Sequence, residues 1–294
     1  MTFHTAASTL GLCASALWGI ASPALAQSGS ADPVYIAAGP QAGVSTEPEP
    51  AAAPPLSANV TLTSQYVSRG WRQTWGKPAL QGGFDYAHPS GFFAGTWMSS
   101  VSNRFIENGT VEWDLYAGYG GTAGNLGYGV TAYYYVYPGA KMAFADVRYD
   151  YGEIVPSISY KFLTVKYWLT YTRDYFGFND ETLGTTARTG DRHSRGSGYL
   201  DVNANFDLGS GYGLLLHYGH QSVRGFNFAN WRDAKIALSK SFNGGWSATL
   251  AFTKAWDKDD LFERFTTGAV DSSGHMDTSN PLKSTVFVSV TRTF

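Results

Sequence analysis

The chain has 294 residues, a formal net charge of -2, only 15% charged residues and a mean hydropathy of -0.19. That balance excludes a nucleic-acid binder with a broad basic field and a disordered acidic tail alike. Gly is abundant (34) and aromatics reach 16%; a wall with one lipid-facing and one watery side alternates residue by residue and keeps mean hydropathy near neutral, so composition leans toward a barrel.

In chain order, Ala6 to Ala26 carry no charge, with Leu10, Leu12, Ala16, Leu17, Trp18 and Ile20 as the apolar heart. Pro23 breaks the segment, and Ala24-Leu25-Ala26 before Gln27 reads as a cleavage box, so residues 1–26 are expected to be a signal peptide. The n-region offers only His4 and the amino terminus; a membrane anchor is the alternative reading, disfavoured by the short, Ser/Thr-rich run. Cys13 is the single cysteine, and Leu12 before it does not suit a lipoprotein signal, so no disulfide or thiolate chemistry is expected after cleavage. No other uncharged apolar run approaches the roughly 18 residues of a spanning helix. If the chain spans a membrane, it does so with strands.

Residues 27–56, rich in Ala and Pro, read as a periplasmic linker. From Ser57 onward, segments of about ten residues alternate with period two, as a tilted barrel wall requires. Val60, Leu62 and Tyr66 alternate with Asn59, Thr61, Thr63 and Gln65. Leu80, Phe84 and Tyr86 stand opposite Gln81 and Asp85. Gly91 to Val101 is apolar on both sides and leaves its register open, and Val111, Trp113, Leu115 and Tyr119 face away from Glu112, Asp114 and Tyr116. Further strands are expected at Leu126–Tyr137, Tyr151–Lys161, Thr164–Thr172, Gly198–Asp207, Gly213–Ser222, Trp231–Ser241, Trp246–Trp256 and Ser284–Phe294. Pro156 falls inside the sixth and, because proline removes a ladder hydrogen bond, leaves its register open; an alternative starts it nearer Ala143 with a bulge at the proline.

Connections alternate between short (His88–Gly91, Gly120–Asn125, Phe162–Leu163, Leu208–Tyr212, Asn243–Gly245) and mostly longer, with extremes at Arg173–Ser197 and Asp257–Leu282. The expected fold is therefore all-β: a transmembrane antiparallel up-and-down barrel of about 12 strands over residues 57–294, with short periplasmic turns and long extracellular loops, in the cell outer membrane. A terminal Phe294 closing an alternating strand resembles the signal read by the barrel assembly machinery, although Arg292 departs from its usual pattern.

Tyr66-Val67-Ser68-Arg69-Gly70, Gln73-Thr74, Lys77-Pro78-Ala79 and Gln81-Gly82-Gly83-Phe84-Asp85-Tyr86 resemble the opening of the TorF family of putative porins. Gly91 to Trp97, Glu112 to Tyr119, Asp174-Tyr175-Phe176-Gly177 and Ser239-Lys240-Ser241-Phe242 extend the resemblance. It covers most of Ser57 to Phe294 and weakens at Lys141 to Arg148 and after Phe178. It implies an outer-membrane barrel of porin type and little about substrate.

Fixed charges in a narrow aqueous pore bias which ions enter. Alternation turns Asp85, Glu112, Asp114, Glu153, Asp201 and Asp207 inward, with Lys161, Lys166 and Lys254 expected beside them and Gln81 and Tyr116 on the same face. The slight excess of acid predicts weak cation preference; the alternative is that these groups pair and plug the lumen. Twelve strands favour a channel, whereas eight are filled by side chains. Arg69 and Gln73, in the first external loop, suit an inward constriction, an anion clamp or a lipopolysaccharide contact. Arg188, Arg192, His193 and Arg195 invite the same readings, but Asp180, Glu181 and Asp191 beside them suggest a solvated mixed-charge loop. His217 and His220, three apart on a strand, face opposite sides, so neither a metal site nor a catalytic dyad is expected. Trp97, Trp113, Tyr119, Tyr128 and Trp246 read as girdle aromatics at the headgroup level. No cofactor is expected; the expected partners are outer-membrane lipids and lipopolysaccharide, the assembly machinery and small hydrophilic solutes, with no nucleic acid. The expected function is a passive or weakly selective porin; a non-conducting structural or adhesion barrel is the alternative.

Overall fold

The computed structural model describes residues 55–184 and 190–294. The expected signal peptide and all but the last two residues of the expected linker lie outside them. Leu56, assigned to the linker by composition, already belongs to the first strand.

Twelve strands form the wall: β1 (Leu56–Thr63), β2 (Ala79–Ala87), β3 (Phe92–Ser100), β4 (Val111–Ala123), β5 (Leu126–Val136), β6 (Tyr151–Tyr160), β7 (Leu163–Thr170), β8 (Gly198–Gly209), β9 (Tyr212–Ser222), β10 (Trp231–Phe242), β11 (Trp246–Asp257) and β12 (Thr285–Thr293). Each pairs antiparallel with its sequence neighbours, and β1 pairs with β12 to close the barrel. Closure leaves no exposed edge, the condition for a sheet to sit in lipid. Ala58 and Phe294 exchange both backbone bonds at the seam.

The period-two pattern does the sorting. Val60 and Leu62 of β1, Leu80 and Phe84 of β2, Leu250 and Phe252 of β11, and Val286, Val288 and Val290 of β12 all stand exposed on the outer face. A continuous apolar surface of this extent is incompatible with water and matches a bilayer core. Two short hairpins, Val67–Ser68 with Trp71–Arg72 and Lys141–Met142 with Val147–Arg148, lie within long connections.

Three local details differ from the sequence expectation. β4 continues through Gly120 and Gly121, paired with Gly129 and Tyr128, so its turn is tighter than Gly120–Asn125. The third strand's open register resolves with Trp97 and Ser99 buried inside and Phe92 and Met98 outside. Pro156 stays in a regular β6 opposite Val130; the ladder to β7 skips Val155 and Pro156, consistent with the missing donor, and no bulge or start near Ala143 is needed. Ala143 sits instead between the strands of the second small hairpin.

Candidate functional site in the barrel lumen

Asp85, Glu112, Asp114, Tyr116, Glu153, Lys166 and Asp201 are buried on the inner face, and Gln81 is half-buried there. Their environments divide by wall sector. On β2–β4, Tyr116 donates to Asp85 at 2.5 Å and Tyr66 to Glu112 at 2.8 Å, while Gln81 donates to Ser99 at 3.1 Å. Asp114 lies in register between Trp97 and Tyr135. The β6–β10 sector interleaves acids with cations.

The first long connection, residues 64–78, turns into the barrel. Its hairpin joins Ser68 to Trp71 through Arg69 and Gly70, both at positive φ (46° and 78°). Two positive-φ residues are what a tight primed hairpin turn demands, and glycine at the second removes half of the steric cost. Gly70 is seated against the wall: a Cβ there would meet Ala255 Cβ at 2.5 Å and Asp233 Cβ at 2.7 Å. The turn thereby aims Arg69 across the lumen. Its Nη1 and Nη2 donate to Glu153 Oε1 and Oε2 at 3.1 and 2.5 Å, and Nη1 reaches Gln221 Oε1 at 3.3 Å. The guanidinium lies 4.9 Å from the Trp168 ring centroid and 4.8 Å from that of Tyr199. Glu153 is 0% exposed and Arg69 8%. A doubly hydrogen-bonded pair of this kind recovers its desolvation cost only because both carboxylate oxygens and the aromatic faces are engaged. Arg69 is thus turned into the lumen and not toward the outer surface.

Above it the long loops meet in an aromatic cluster. Trp71 packs within 4.7–5.1 Å of Phe262, Trp231 and Phe105, drawn from three other segments. Trp231 Nε1 donates to the Arg69 carbonyl at 2.9 Å, fixing the turn from the wall. Two small cavities remain. One, about 30 Å³, is lined by Arg69, Gln73, Glu112, Tyr135 and Trp231 among others; the second, about 20 Å³, by Arg69, Tyr199, Asp201, His217 and Asp233. Each has room for about one or two waters. Arg69 is common to both, and Gln73 is buried at the upper one.

Inner-face residues that escaped the sequence reading of the lining include Trp168, Tyr199 and Gln221 around Arg69 and, nearby, His217, Asp233 and Lys235. His217 Nδ1 faces Asp201 Oδ1 at 3.2 Å and Nε2 faces Asp233 Oδ2 at 2.9 Å. An imidazole with carboxylates at both nitrogens satisfies them as an imidazolium. Tyr199 also donates to Asp233 at 2.9 Å. Alternation along Trp231–Phe242 carries the signal for Asp233 and Lys235, since Arg232, Ile236 and Leu238 flank them outward. His220, as expected, is on the opposite face from His217. Among the described residues no group of three or more His, Cys, Asp or Glu side chains is arranged to hold a metal ion.

Five residues are placed otherwise than expected. Tyr66, expected on the outer face with Val60 and Leu62, is buried inside and bonded to Glu112, because β1 ends at Thr63. Lys161 is in the two-residue turn after β6, at φ 53°, with Nζ over the Tyr160 ring, because the strand ends one residue earlier than the alternation suggested. Lys254 is exposed on the outside between Phe252 and Trp256; the small Thr253 and Ala255 are the inward residues. Asp207 lies at the short-turn rim, exposed, where Oδ1 accepts from Gly209 N at 2.8 Å beside a register shift. Trp97 is no girdle residue but is buried inside, 5.5 Å from Tyr66; Trp113, Tyr119, Tyr128 and Trp246 do stand on the outer face. Arg292 also faces outward, its guanidinium over Trp246 and Phe294.

In the connection 171–197, His193 pairs with Asp174 at 2.7 Å and with Arg173 Nε at 2.7 Å, Arg195 reaches the Thr172 carbonyl at 3.3 Å, and Arg192 lies over Phe226. His193 and Arg195 tie their own loop together, whereas Arg192 reaches the connection after β9; Arg188 lies outside the described residues. In the neighbouring connection, Lys141 holds the Asp146 carboxyl below its ordinary value, and burial pushes the Tyr149 phenol up to about 12.

Among curated proteins, none matches the chain. Solved structures to which it is similar include a KdgM porin (8% identity, covering 81% of this chain and 99% of that one, TM-score 0.49) and a NanC porin (7%, 81% and 98%, TM-score 0.46). Pseudomonas aeruginosa OccK1 (OpdK) is a third (11%, 82% and 66%, TM-score 0.35). The wider match is to a sequence family: residues 47–294 fit the model described as bacterial protein of unknown function (Gcw_chp), and the chain belongs to that family.

Proposed function

We propose that the chain is an outer-membrane porin that passes small hydrophilic solutes or ions, with weak preference for cations, and that its first loop forms the constriction. The observation that carries this reading is that a loop side chain, Arg69, reaches across the lumen to Glu153 on the wall. With that loop withdrawn, the wall itself offers Asn59, Thr61, Thr63, Asp85, Glu112, Asp114 and Lys166 to the lumen. The β2–β4 carboxylates, of which Asp85 and Glu112 accept from tyrosine hydroxyls, supply the cation preference. The resemblance of Tyr66 to Tyr86 to the TorF putative porins supports the same reading. Export by a signal peptide at 1–26, a periplasmic linker, Phe294 as the assembly signal, and contacts with lipid and lipopolysaccharide complete the proposal. It involves no catalysis.

A second reading has its own observation. Glu153 and Trp168 are both 0% exposed, and all six long connections contribute to the hydrophobic cluster above them, as in a barrel built to stay shut. Purified protein in planar bilayers separates the two. Discrete ohmic steps, with a reversal potential favouring the cation and reduced by Asp85→Asn or Asp114→Asn, support the porin. Their absence over a wide salt range, in protein of verified insertion, supports the closed barrel.

A further inference from the structure

Apart from the Tyr175 ring of the connection after β7, 5.9 Å away, the partners of the Arg69 guanidinium come from the wall. Glu153 is on β6, Trp168 on β7, Tyr199 on β8 and Gln221 on β9, four consecutive strands. The register sets them side by side, Trp168 against Tyr199, Tyr199 against Gln221, and Glu153 against Thr170, two residues above Trp168. Gln221 is fully buried, and its Nε2 donates to the Ser222 carbonyl at 3.2 Å, which leaves Oε1 directed at the guanidinium. A carboxylate offering both oxygens, an amide oxygen and two aromatic faces near 5 Å form the complement of a planar guanidinium. The loop contributes only the cation that fills it.

We propose that this wall patch is a binding site for guanidinium-bearing cations, kept filled by the chain's own Arg69 and available to a solute guanidinium that takes its place. Because Arg69 lines the cavities above and below, its displacement joins them, so the solute that is recognised also withdraws the constriction. This consequence rests on the porin reading; the binding does not. Tethering gives Arg69 a high effective concentration, so the native site resists free ligand until that concentration is approached.

The test uses the full chain refolded in detergent micelles, with folding checked by heat-modifiable migration, and methylguanidinium chloride as the probe. Calorimetric titration of Arg69→Ala should show millimolar or tighter binding, about tenfold or more weaker in wild type and in Arg69→Ala/Glu153→Gln, the size of effect expected for a lost charged hydrogen-bond partner. Tetramethylammonium chloride, which has charge but no N–H groups, should bind Arg69→Ala at least tenfold more weakly than methylguanidinium. Equal affinity for the two cations, equal affinity in the single and double variants, or no saturable binding overturns the proposal. Arg69→Gln serves if the alanine variant does not fold. In the Arg69-intact protein carrying Cys13→Ser and Ser68→Cys, methylguanidinium should accelerate thiol labelling; an unchanged rate at saturating probe counts against displacement. Binding without any gain of bilayer current would sink the porin reading and leave the site standing, whereas current without binding would do the reverse.

Discussion

Glu153→Gln is the most informative single change to the constriction. Glutamine keeps the size of the side chain and one acceptor oxygen, but removes the charge that balances a guanidinium only 8% exposed. Removing one partner of a buried ion pair costs about 3–5 kcal/mol; the retained amide oxygen places this case near ~3 kcal/mol. Arg69 has an escape that most buried cations lack, because it is on a loop and not on the wall. The cost therefore falls on the seated loop and not on the barrel. At about 1.4 kcal/mol per decade, ~3 kcal/mol shifts the seated-to-withdrawn ratio by roughly 100-fold. A thiol at Ser68→Cys in a Cys13→Ser background reports the withdrawn state, and its labelling rate should rise by about the same roughly 100-fold factor where opening precedes labelling. Asp85→Asn, whose partner Tyr116 is on the wall, serves as the control and should leave the rate unchanged. A rate in Glu153→Gln within threefold of the parent, with the barrel folded, would refute the latch.

Three further outcomes are expected. Gly70→Ala puts a methyl against Ala255 and Asp233 at positive φ, so overpacking of about 1–3 kcal/mol should unseat the loop and speed Ser68→Cys labelling; Gly139→Ala, also at positive φ but with nothing within 4 Å, should not. Leu250→Arg, on the outer face midway along β11, should lower stability by about 2–4 kcal/mol in urea titrations of vesicle-inserted protein, and no change there would argue against a lipid-facing belt. Tyr149 keeps its proton in the folded state up to about 12 against the ordinary 10.0, so the stability it contributes is complete below pH 10 and declines from there to about 12. The alkaline difference spectrum of wild type minus Tyr149→Phe should therefore show a component with a midpoint near 12; a midpoint at the ordinary phenol value would contradict the burial of that loop.

Much of the wall is legible in the chain because its two sides answer to different solvents. Leu80, Phe84 and Tyr86 against Gln81 and Asp85 sort by polarity alone, and twelve such segments closed as expected. The errors arise where alternation loses its hold. It does not say where a strand ends, which is how Lys161 was assigned to the lumen. A long cation among aromatics can stand on the lipid side near a rim with its stem buried, which is how Lys254 was misread. On β3, both faces are apolar because the lumen itself contains aromatics, so Trp97 looked like a girdle residue. The Arg69–Glu153 contact spans 84 residues and depends on a turn whose direction is set by Trp231 and by the wall beneath Gly70. No local pattern encodes that approach, although the Arg-Gly pair marks the turn that makes it possible.

The central claim is that a loop side chain closes a lumen whose wall would otherwise conduct. Single-channel recording of Arg69→Ala beside wild type, in planar bilayers with insertion verified for both, tests it most directly. The account predicts long-lived ohmic openings in Arg69→Ala and infrequent, brief or smaller ones in wild type. Indistinguishable traces from the two proteins, whether both silent or both fully open, would contradict it.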